Sequence, residues 1–178
     1  YIGITSHRHF YLADDTTYSF DSVNLLSVYP SGNVCFHLNG KTLTIGRAGG
    51  ARFWMGTGAV DSVLNIFGTN GKIEYQGRSV LQVNDGTVNV IGGEYSGFET
   101  FAESYCYTEP KMVNLIDATV NGNLVIKEWR AGFKLEGATT VNKITVDYLT
   151  SAGTQRFGKL ELASVDYRLQ SGCGLKNG

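Results

Sequence analysis

Carboxylates are the side chains that could carry out acid–base chemistry, and in this sequence they are scattered. Asp14 and Asp15 form the only adjacent acidic pair. Hydrolysis of a glycosidic bond needs two carboxyl groups about 5 to 10 Å apart, and a lyase needs acidic calcium ligands beside a basic proton acceptor. We expect no catalytic residues, although sequence spacing leaves open an active site assembled from distant segments. The other candidate aspartates are isolated and fit corner or surface positions: Asp61, Asp85, Asp117 and Asp147.

Histidines and cysteines are the residues that could bind a transition metal. His7 and His9 flank Arg8, but no third ligand lies nearby in the sequence, and zinc sites use three or four protein ligands. We therefore expect neither a metal nor a cofactor, and we expect His37 to be exposed. The cysteines form no CxxC motif, which predicts buried apolar thiols, with one disulfide plus a free thiol as the alternative. They are Cys35, Cys106 and Cys173.

Aromatic residues and carboxylates are concentrated in the segment 94–110, which shows no strand period. We predict that it is a loop projecting from the scaffold, where binding functions often concentrate. Exposed aromatic rings can stack on sugar rings, although the same rings could instead fold back over the core. The candidate glycan-binding residues are Tyr95, Phe98, Phe101, Tyr105 and Tyr107.

The composition of the whole chain limits the classes of partner. Its 178 residues suffice for one sizeable domain, and 15 basic against 16 acidic side chains give a net charge of -1. That balance provides no electrostatic footprint for nucleic acid or an anionic membrane. No apolar run approaches the roughly 20 residues of a membrane span. The 23 Gly and 2 Pro are typical of ordered structure with many tight turns.

The elements that must position these side chains are predicted to be strands. Apolar residues alternate with a period of two, and Asn-Gly, Asp-Gly or Glu-Gly pairs separate the alternating runs at positions 39, 70, 85, 121 and 136. Short β-branched runs bounded by such turns predict strands. Helical spacing is nowhere sustained, so we predict one all-β domain over 1–178, with a loop excursion at 94–110.

Two all-β folds fit this pattern. Asn-Gly between strands is a strong hairpin signal, and a series of hairpins would give a β-sandwich. Successive turns are separated alternately by about 31 to 36 residues and by about 15 residues. One long gap and one short gap together equal two units of about 23 to 25 residues, which is the size of a solenoid coil. We therefore predict a single-stranded right-handed parallel β-helix of about six or seven coils, with the β-sandwich as the alternative.

A family resemblance supports the solenoid. Residues 34–44 (VCFHLNGKTLT), followed by 62–66 (SVLNI), resemble a recurrent element of secreted bacterial right-handed β-helix repeat proteins. In those proteins an L-N-G-x-T-L coil precedes a G-x-L-x-I coil, and 10–16 (FYLADDT) is similar to their entry strand. The resemblance covers 10–97 well and extends more broadly to the pectate-lyase-like superfamily. It implies the fold and a secreted, extracellular location.

In such a solenoid, identical positions of successive coils stack in columns. Asn39, Asn70 and Asn121 would bond to backbone groups at the corners, while Thr42, Asn65 and Asn89 would face outward. The predicted core consists of Leu38, Leu43, Ile45, Leu64, Ile66, Leu81, Val83, Val88 and Val90.

These expectations favour a non-catalytic structural or adhesive module of a bacterial surface or secreted protein, which contacts glycans through the segment 95–107. Its expected partner is a cell-surface, plant or host polysaccharide. A polysaccharide lyase or glycoside hydrolase of the pectate-lyase-like fold is one alternative, and a self-assembling filament subunit is another. Because the chain begins in mid-pattern at Tyr1 and has no obvious cap at either end, we expect flanking domains or end-to-end association.

Overall fold

The chain folds into β-strands joined by tight corners. The computed structural model describes residues 3–19, 25–46, 52–75, 79–96, 100–104, 111–127, 131–146 and 159–163, and these contain no helix. In chain order the strands are β1 (Gly3–Ile4), β2 (His7–Tyr11), β3 (Thr16–Tyr18), β4 (Leu26–Val28), β5 (Asn33–His37), β6 (Thr42–Ile45), β7 (Phe53–Met55), β8 (Val63–Phe67), β9 (Lys72–Tyr75), β10 (Ser79–Val83), β11 (Thr87–Ile91), β12 (Glu94–Ser96), β13 (Thr100–Ser104), β14 (Lys111–Ile116), β15 (Thr119–Ile126), β16 (Ala131–Glu136), β17 (Thr140–Val146) and β18 (Lys159–Ala163).

Every strand pairing among the described residues is parallel, which makes the fold a parallel β-helix and excludes the β-sandwich of hairpins. Three consecutive strands form one coil, and each strand pairs with its counterpart in the next coil. The second strands of the coils form a seven-stranded sheet, in the order β18-β16-β14-β11-β8-β5-β2. The first and third strands form the two arms of an eleven-stranded sheet. Among the described residues, six coils have all three strands, the second half of β15 and the first half of β17 completing the sixth, and the second half of β17 and β18 belong to a seventh.

Strand β15 serves two coils at once. Its first half pairs with β12, its second half pairs with β13, and the register shifts between the halves. Strand β17 follows the same course beside it. The Asn121-Gly122 pair therefore lies inside a continuous strand, and the prediction of a tight corner at Asn121 is wrong. The chain crosses from one arm of the sheet to the other there through an irregularity in the strand.

The core lies inside the coils and consists of stacked inward columns. On the seven-stranded sheet, Val34, Leu64, Val88, Val113 and Phe133 occupy one column, and each has no more than 1% of its surface exposed. Alternation with a period of two sends these side chains inward and their sequence neighbours outward. All nine predicted core residues are buried, because the alternation identifies the inward face independently of how the strands pair.

The corners require left-handed backbone conformations. Asn39 and Asn70 have φ angles of 54° and 57°, and Asn39 also donates its amide N–H to the carbonyl of Leu12 in the preceding coil, at 3.3 Å. Asparagine adopts this conformation more readily than most residues, which confirms the prediction for these two corners.

Two parts of the segment 94–110 are strands rather than the loop excursion that we predicted. Residues 94–96 and 100–104 form β12 and β13, which pair in parallel with neighbouring coils, while 97–99 and 105–110 lie outside the described residues. The apolar residues of both strands face the core, and their polar neighbours conceal this in the sequence. In the part of the chain that the structure describes, no helix has the length and hydropathy of a membrane span.

Candidate functional site

The outward face of the seven-stranded sheet carries the densest group of side chains that could bind a ligand. On β2, alternation turns His7, His9 and Tyr11 to the same side. Parallel pairing places His9 beside Cys35 and Tyr11 beside His37 on the adjacent strand β5. The sequence separation of the two strands therefore does not prevent these side chains from forming one site.

Three aromatic rings of successive coils stack on this face. The rings of Tyr11 and His37 lie 4.3 Å apart and 8° from parallel, and those of His37 and Phe67 lie 4.7 Å apart and 11° from parallel. Stacking of this kind adds about 0.5 to 1.5 kcal/mol per aromatic pair beyond simple burial. Tyr11 nevertheless has 63% of its surface exposed, so the stack presents apolar surface to solvent.

The stack borders an open groove of about 460 Å³, which we call the aromatic groove. Its volume falls in the range of roughly 300 to 1,000 Å³ that is typical of small-ligand sites. Its lining combines the rings of the aromatic stack with amide and hydroxyl groups of corner residues. The groove is lined by Tyr11, His37, Asn39, Gly40, Phe67, Thr69 and Asn70.

His37 contributes an uncharged ring to this groove at neutral pH. Burial lowers the pKa of its imidazole below the ordinary value, and the neighbouring His9 lowers it further. The polar groups of the groove can therefore donate and accept hydrogen bonds without presenting a net charge.

A second group of ligating atoms lies beside the groove. The ligand atoms of His7, His9 and Cys35 all lie within 4.8 Å of one another, and we call this group the histidine–cysteine cluster. The two imidazole Nε2 atoms are 2.9 Å apart, and Nδ1 of His9 lies 3.4 Å from Nε2 of His37. The argument that His7 and His9 lack a third ligand is therefore wrong. Cys35 is half-buried on the outward face rather than a core thiol, while Cys106 and Cys173 lie outside the described residues.

The column that contains Cys35 continues as an asparagine ladder, formed by Asn65, Asn89 and Asn114. The side-chain amide of Asn114 donates to Oδ1 of Asn89, and the amide of Asn89 donates to Oδ1 of Asn65, both at 2.7 Å. Asn65 in turn donates to the Sγ atom of Cys35 at 3.7 Å. All three bonds point in the same direction, so the donor end of the ladder faces the sulfur.

A cluster of charged residues lies on the neighbouring arm of the eleven-stranded sheet. Nζ of Lys72 is 2.9 Å from a carboxylate oxygen of Glu74 and 4.0 Å from one of Glu94. The hydrogen bond that the Lys72 ammonium group donates to Glu74 raises the pKa of Lys72, and the negative charge of Glu74 adds to this effect. Lys72 therefore stays protonated at neutral pH.

Of the five predicted glycan-binding residues, the structure describes two, and both are buried. Tyr95 and Phe101 are fully buried, with ring centroids 4.9 Å apart, so neither ring is available to a sugar, and the prediction is wrong for these two. The Tyr95 hydroxyl donates to the carbonyl of Gly92 at 2.9 Å, and burial raises the pKa of that hydroxyl above its ordinary value. Phe98, Tyr105 and Tyr107 lie outside the described residues.

The sequence contains a signal that identifies the site on β2 and β5. Phe10-Tyr11-Leu12 and Phe36-His37-Leu38 share a Phe-x-Leu pattern, and aligning the two places Tyr11 on His37 and His9 on Cys35. The prediction from isolated motifs missed this alignment because it compared residues within a strand rather than between coils.

Comparisons of the chain with protein-family models, with curated proteins and with solved structures returned no match. The fold and the site geometry are therefore the observations on which a functional proposal rests.

Proposed function

We propose that this chain is a non-catalytic β-helix module, a structural or adhesive part of a bacterial surface or secreted protein, which binds a neutral glycan in the aromatic groove. The observation that carries this proposal is the groove itself, which is lined by an aromatic stack together with corner amides and a hydroxyl. The assignment to the secreted β-helix proteins and the pectate-lyase-like superfamily, with its extracellular location, is supported by the motifs at 34–44 and 62–66.

The chemistry of the groove suits a sugar. Aromatic rings offer apolar surface to the C–H groups of a pyranose, while Asn39, Thr69 and Asn70 can exchange hydrogen bonds with hydroxyl groups. Because these groups are uncharged and the pKa of His37 is lowered, a neutral glycan is favoured over an acidic one.

Rigid columns support the groove from below. The inward columns pack in the core beneath it, and on the outward face the bond from Asn65 to Cys35 ties β8 to β5, two of the strands that line the groove. A groove whose walls are held by such columns changes little on binding, which lowers the entropic cost of association. This is the behaviour expected of an adhesive module.

The test is glycan-array screening of the chain, followed by calorimetry with the best neutral oligosaccharide. We expect Tyr11→Ala or Phe67→Ala to weaken binding about tenfold or more, in keeping with a loss of roughly 1 to 3 kcal/mol per stacking contact. Ile116→Ala is the matched control, because Ile116 occupies the same outward column two coils beyond Phe67.

Equal effects of the groove and control substitutions would contradict the proposal, as would stronger binding of acidic than of neutral glycans. Absence of glycan binding by the parent chain would reject the glycan part and leave a purely structural module.

A polysaccharide lyase or glycoside hydrolase is the second candidate, and the charged cluster around Lys72 is the observation that favours it. Glu74 and Glu94 both lie near Nζ of Lys72, so two carboxylates come close together, as the acid–base pair of a glycosidase requires. The raised pKa of Lys72 argues against its acting as a base, since a protonated ammonium group accepts no proton.

Incubation with acidic and neutral polysaccharides, with and without calcium, discriminates between the two functions. Turnover that Glu94→Gln abolishes would establish the enzyme, and no new reducing or unsaturated ends are expected from the non-catalytic module. Assembly into filaments remains a further proposal, which sedimentation of the purified chain would test.

A further inference from the structure

We infer that the histidine–cysteine cluster is a zinc site, in which Nε2 of His7, Nε2 of His9 and Sγ of Cys35 bind one Zn²⁺ on the outward face of the solenoid. The inference is independent of the proposed glycan binding, because none of these three residues lines the aromatic groove.

The geometry needs little adjustment for a metal. Zinc binds nitrogen at about 2.0 to 2.1 Å and sulfur at about 2.3 Å, so tetrahedral ligand atoms lie about 3.3 to 3.6 Å from one another. The ligand atoms of the cluster already lie within 4.8 Å of each other, and the two Nε2 atoms are 2.9 Å apart. Rotations of exposed side chains can supply the remaining movement, because His7 and His9 are exposed on β2.

The backbone fixes the arrangement of the three ligands. His7 and His9 alternate to the same side of one strand, and parallel pairing sets Cys35 directly beside His9 on the next strand. Neighbouring strands are about 4.8 Å apart, which brings side chains of adjacent coils within reach of one ion. The ligands therefore come from two coils, and a bound ion would connect those coils.

The surroundings of the ligands resemble the outer shell of a metal site. Ligating histidines usually donate their second ring N–H to an acceptor, and Nε2 of His37 lies 3.4 Å from Nδ1 of His9. The side-chain N–H of Asn65, at the donor end of the asparagine ladder, donates to Sγ of Cys35 at 3.7 Å and so holds the sulfur from the next coil.

The ligand types select the class of metal. Two imidazoles and a thiolate suit zinc and its neighbours among the transition metals, whereas calcium and magnesium prefer oxygen. Three protein ligands leave the fourth position of a tetrahedral ion open to water or to another small ligand. On binding, the Cys35 thiol releases its proton to solvent.

The test uses the whole chain without an affinity tag, carrying Cys106→Ser and Cys173→Ser so that Cys35 is the only thiol. Zinc affinity is measured by competition with a chromogenic chelator, and Co²⁺ serves as a spectroscopic substitute. We expect one Zn²⁺ per chain, tetrahedral Co²⁺ bands and a sulfur-to-cobalt charge-transfer band.

Cys35→Ser and His9→Ala are each expected to weaken zinc binding at least about tenfold, and Cys35→Ser to remove the charge-transfer band. The matched control is Arg8→Ala, which removes an exposed side chain between the two histidines and should leave the affinity unchanged. Circular dichroism verifies that each variant is folded, and the charge-transfer band of the parent reports on the sulfur ligand even if Cys35→Ser does not fold.

Three results would overturn the inference. They are less than one Zn²⁺ per chain at saturation, unchanged affinity in Cys35→Ser, or equally effective competition by Ca²⁺.

Discussion

Gly86 shows how one residue can control the spacing of two coils. It lies between β10 and β11 with a φ angle of 84°, and a Cβ atom there would lie 2.6 Å from the carbonyl oxygen of Ala59 and 2.7 Å from Cε of Met55. Both contacts are shorter than van der Waals packing allows. The corner therefore depends on glycine for backbone conformation and for space.

We predict that Gly86→Ala lowers the free energy of unfolding by about 3 kcal/mol, because the left-handed backbone and the crowding both penalise a side chain. The matched control is Gly40→Ala, whose φ is 71° but which has nothing within 4 Å of the added Cβ. Gly40→Ala should lower the free energy of unfolding only by the backbone contribution of about 1 to 2 kcal/mol. Urea unfolding measures the free energy of unfolding of both variants. Equal losses in the two would contradict a contribution from crowding at Gly86.

The sequence predicts Gly86 as a turn residue but not its close packing. An Asp-Gly pair between alternating runs indicates the corner, and the structure adds that Asp85 is 1% exposed and accepts a hydrogen bond from the N–H of Gly58, at 2.7 Å. This hydrogen bond joins two residues of neighbouring coils that are 27 positions apart in the sequence. Their separation depends on loop lengths, which a local motif does not specify.

At the scale of elements, the asparagine ladder is a polarised chain of hydrogen bonds across β8, β11 and β14. Asn89 and Asn65 each accept one bond and donate the next, Asn114 donates the first, and the three side chains are half-buried on the outward face. A substitution that replaces one of these donors with an acceptor would place two acceptors against each other.

We predict that Asn89→Asp destabilises the chain by about 1 to 2 kcal/mol at neutral pH, because the introduced carboxylate cannot donate to Oδ1 of Asn65. The penalty should grow as pH rises through the titration of the introduced carboxyl, since only its protonated form donates. Asn142→Asp, at an exposed position of β17, is the matched control. Thermal unfolding between pH 3 and pH 7 tests this, and equal pH dependence of the two variants would contradict it.

Strands β12 and β13 show where sequence reasoning fails. Glu94 and Ser96 flank Tyr95 and make the segment look polar, yet this is the alternation of a strand whose middle residue is buried. Phe101 is likewise buried, beside Ala102 in β13. Strand β12 has only three residues, and β13 places two buried residues in succession, so neither shows a clear period of two in the sequence. Their polar composition was therefore mistaken for exposure.

At the scale of the whole molecule, each coil contacts mainly the coils before and after it. The middle coils are packed on both sides, and β8 and β11 alternate between half-buried and buried residues. Strand β2 in the first coil is mostly exposed. In such an arrangement, local stability depends on the number of neighbouring coils.

We therefore predict that backbone amides of β8 and β11 exchange hydrogen more slowly than those of β2 and β3. Exchange followed by mass spectrometry on the folded chain measures this gradient. Uniform protection along the solenoid would show that the coils open only as one cooperative unit.

The sequence was sufficient for the fold and insufficient for the site. Alternation identified core residues such as Leu64 and Val88, and the spacing of turns indicated the coils. The site needs the register between coils, and the distance between paired residues is not constant: it is 30 for Cys35 and Asn65 but 24 for Asn65 and Asn89. A fixed repeat length would place these side chains out of register.

The passage of β15 from one arm of the sheet to the other affects how the solenoid would respond to a pulling force. Most of the described strands belong to a single coil, so unwinding one of them need not disturb the next coil. Between the fifth and sixth coils, the uninterrupted strand pairs with β12 and β13 on one side and with β17 on the other. A force that peels the chain coil by coil would have to separate both coils together at this point, so β15 is the expected position of a mechanical clamp.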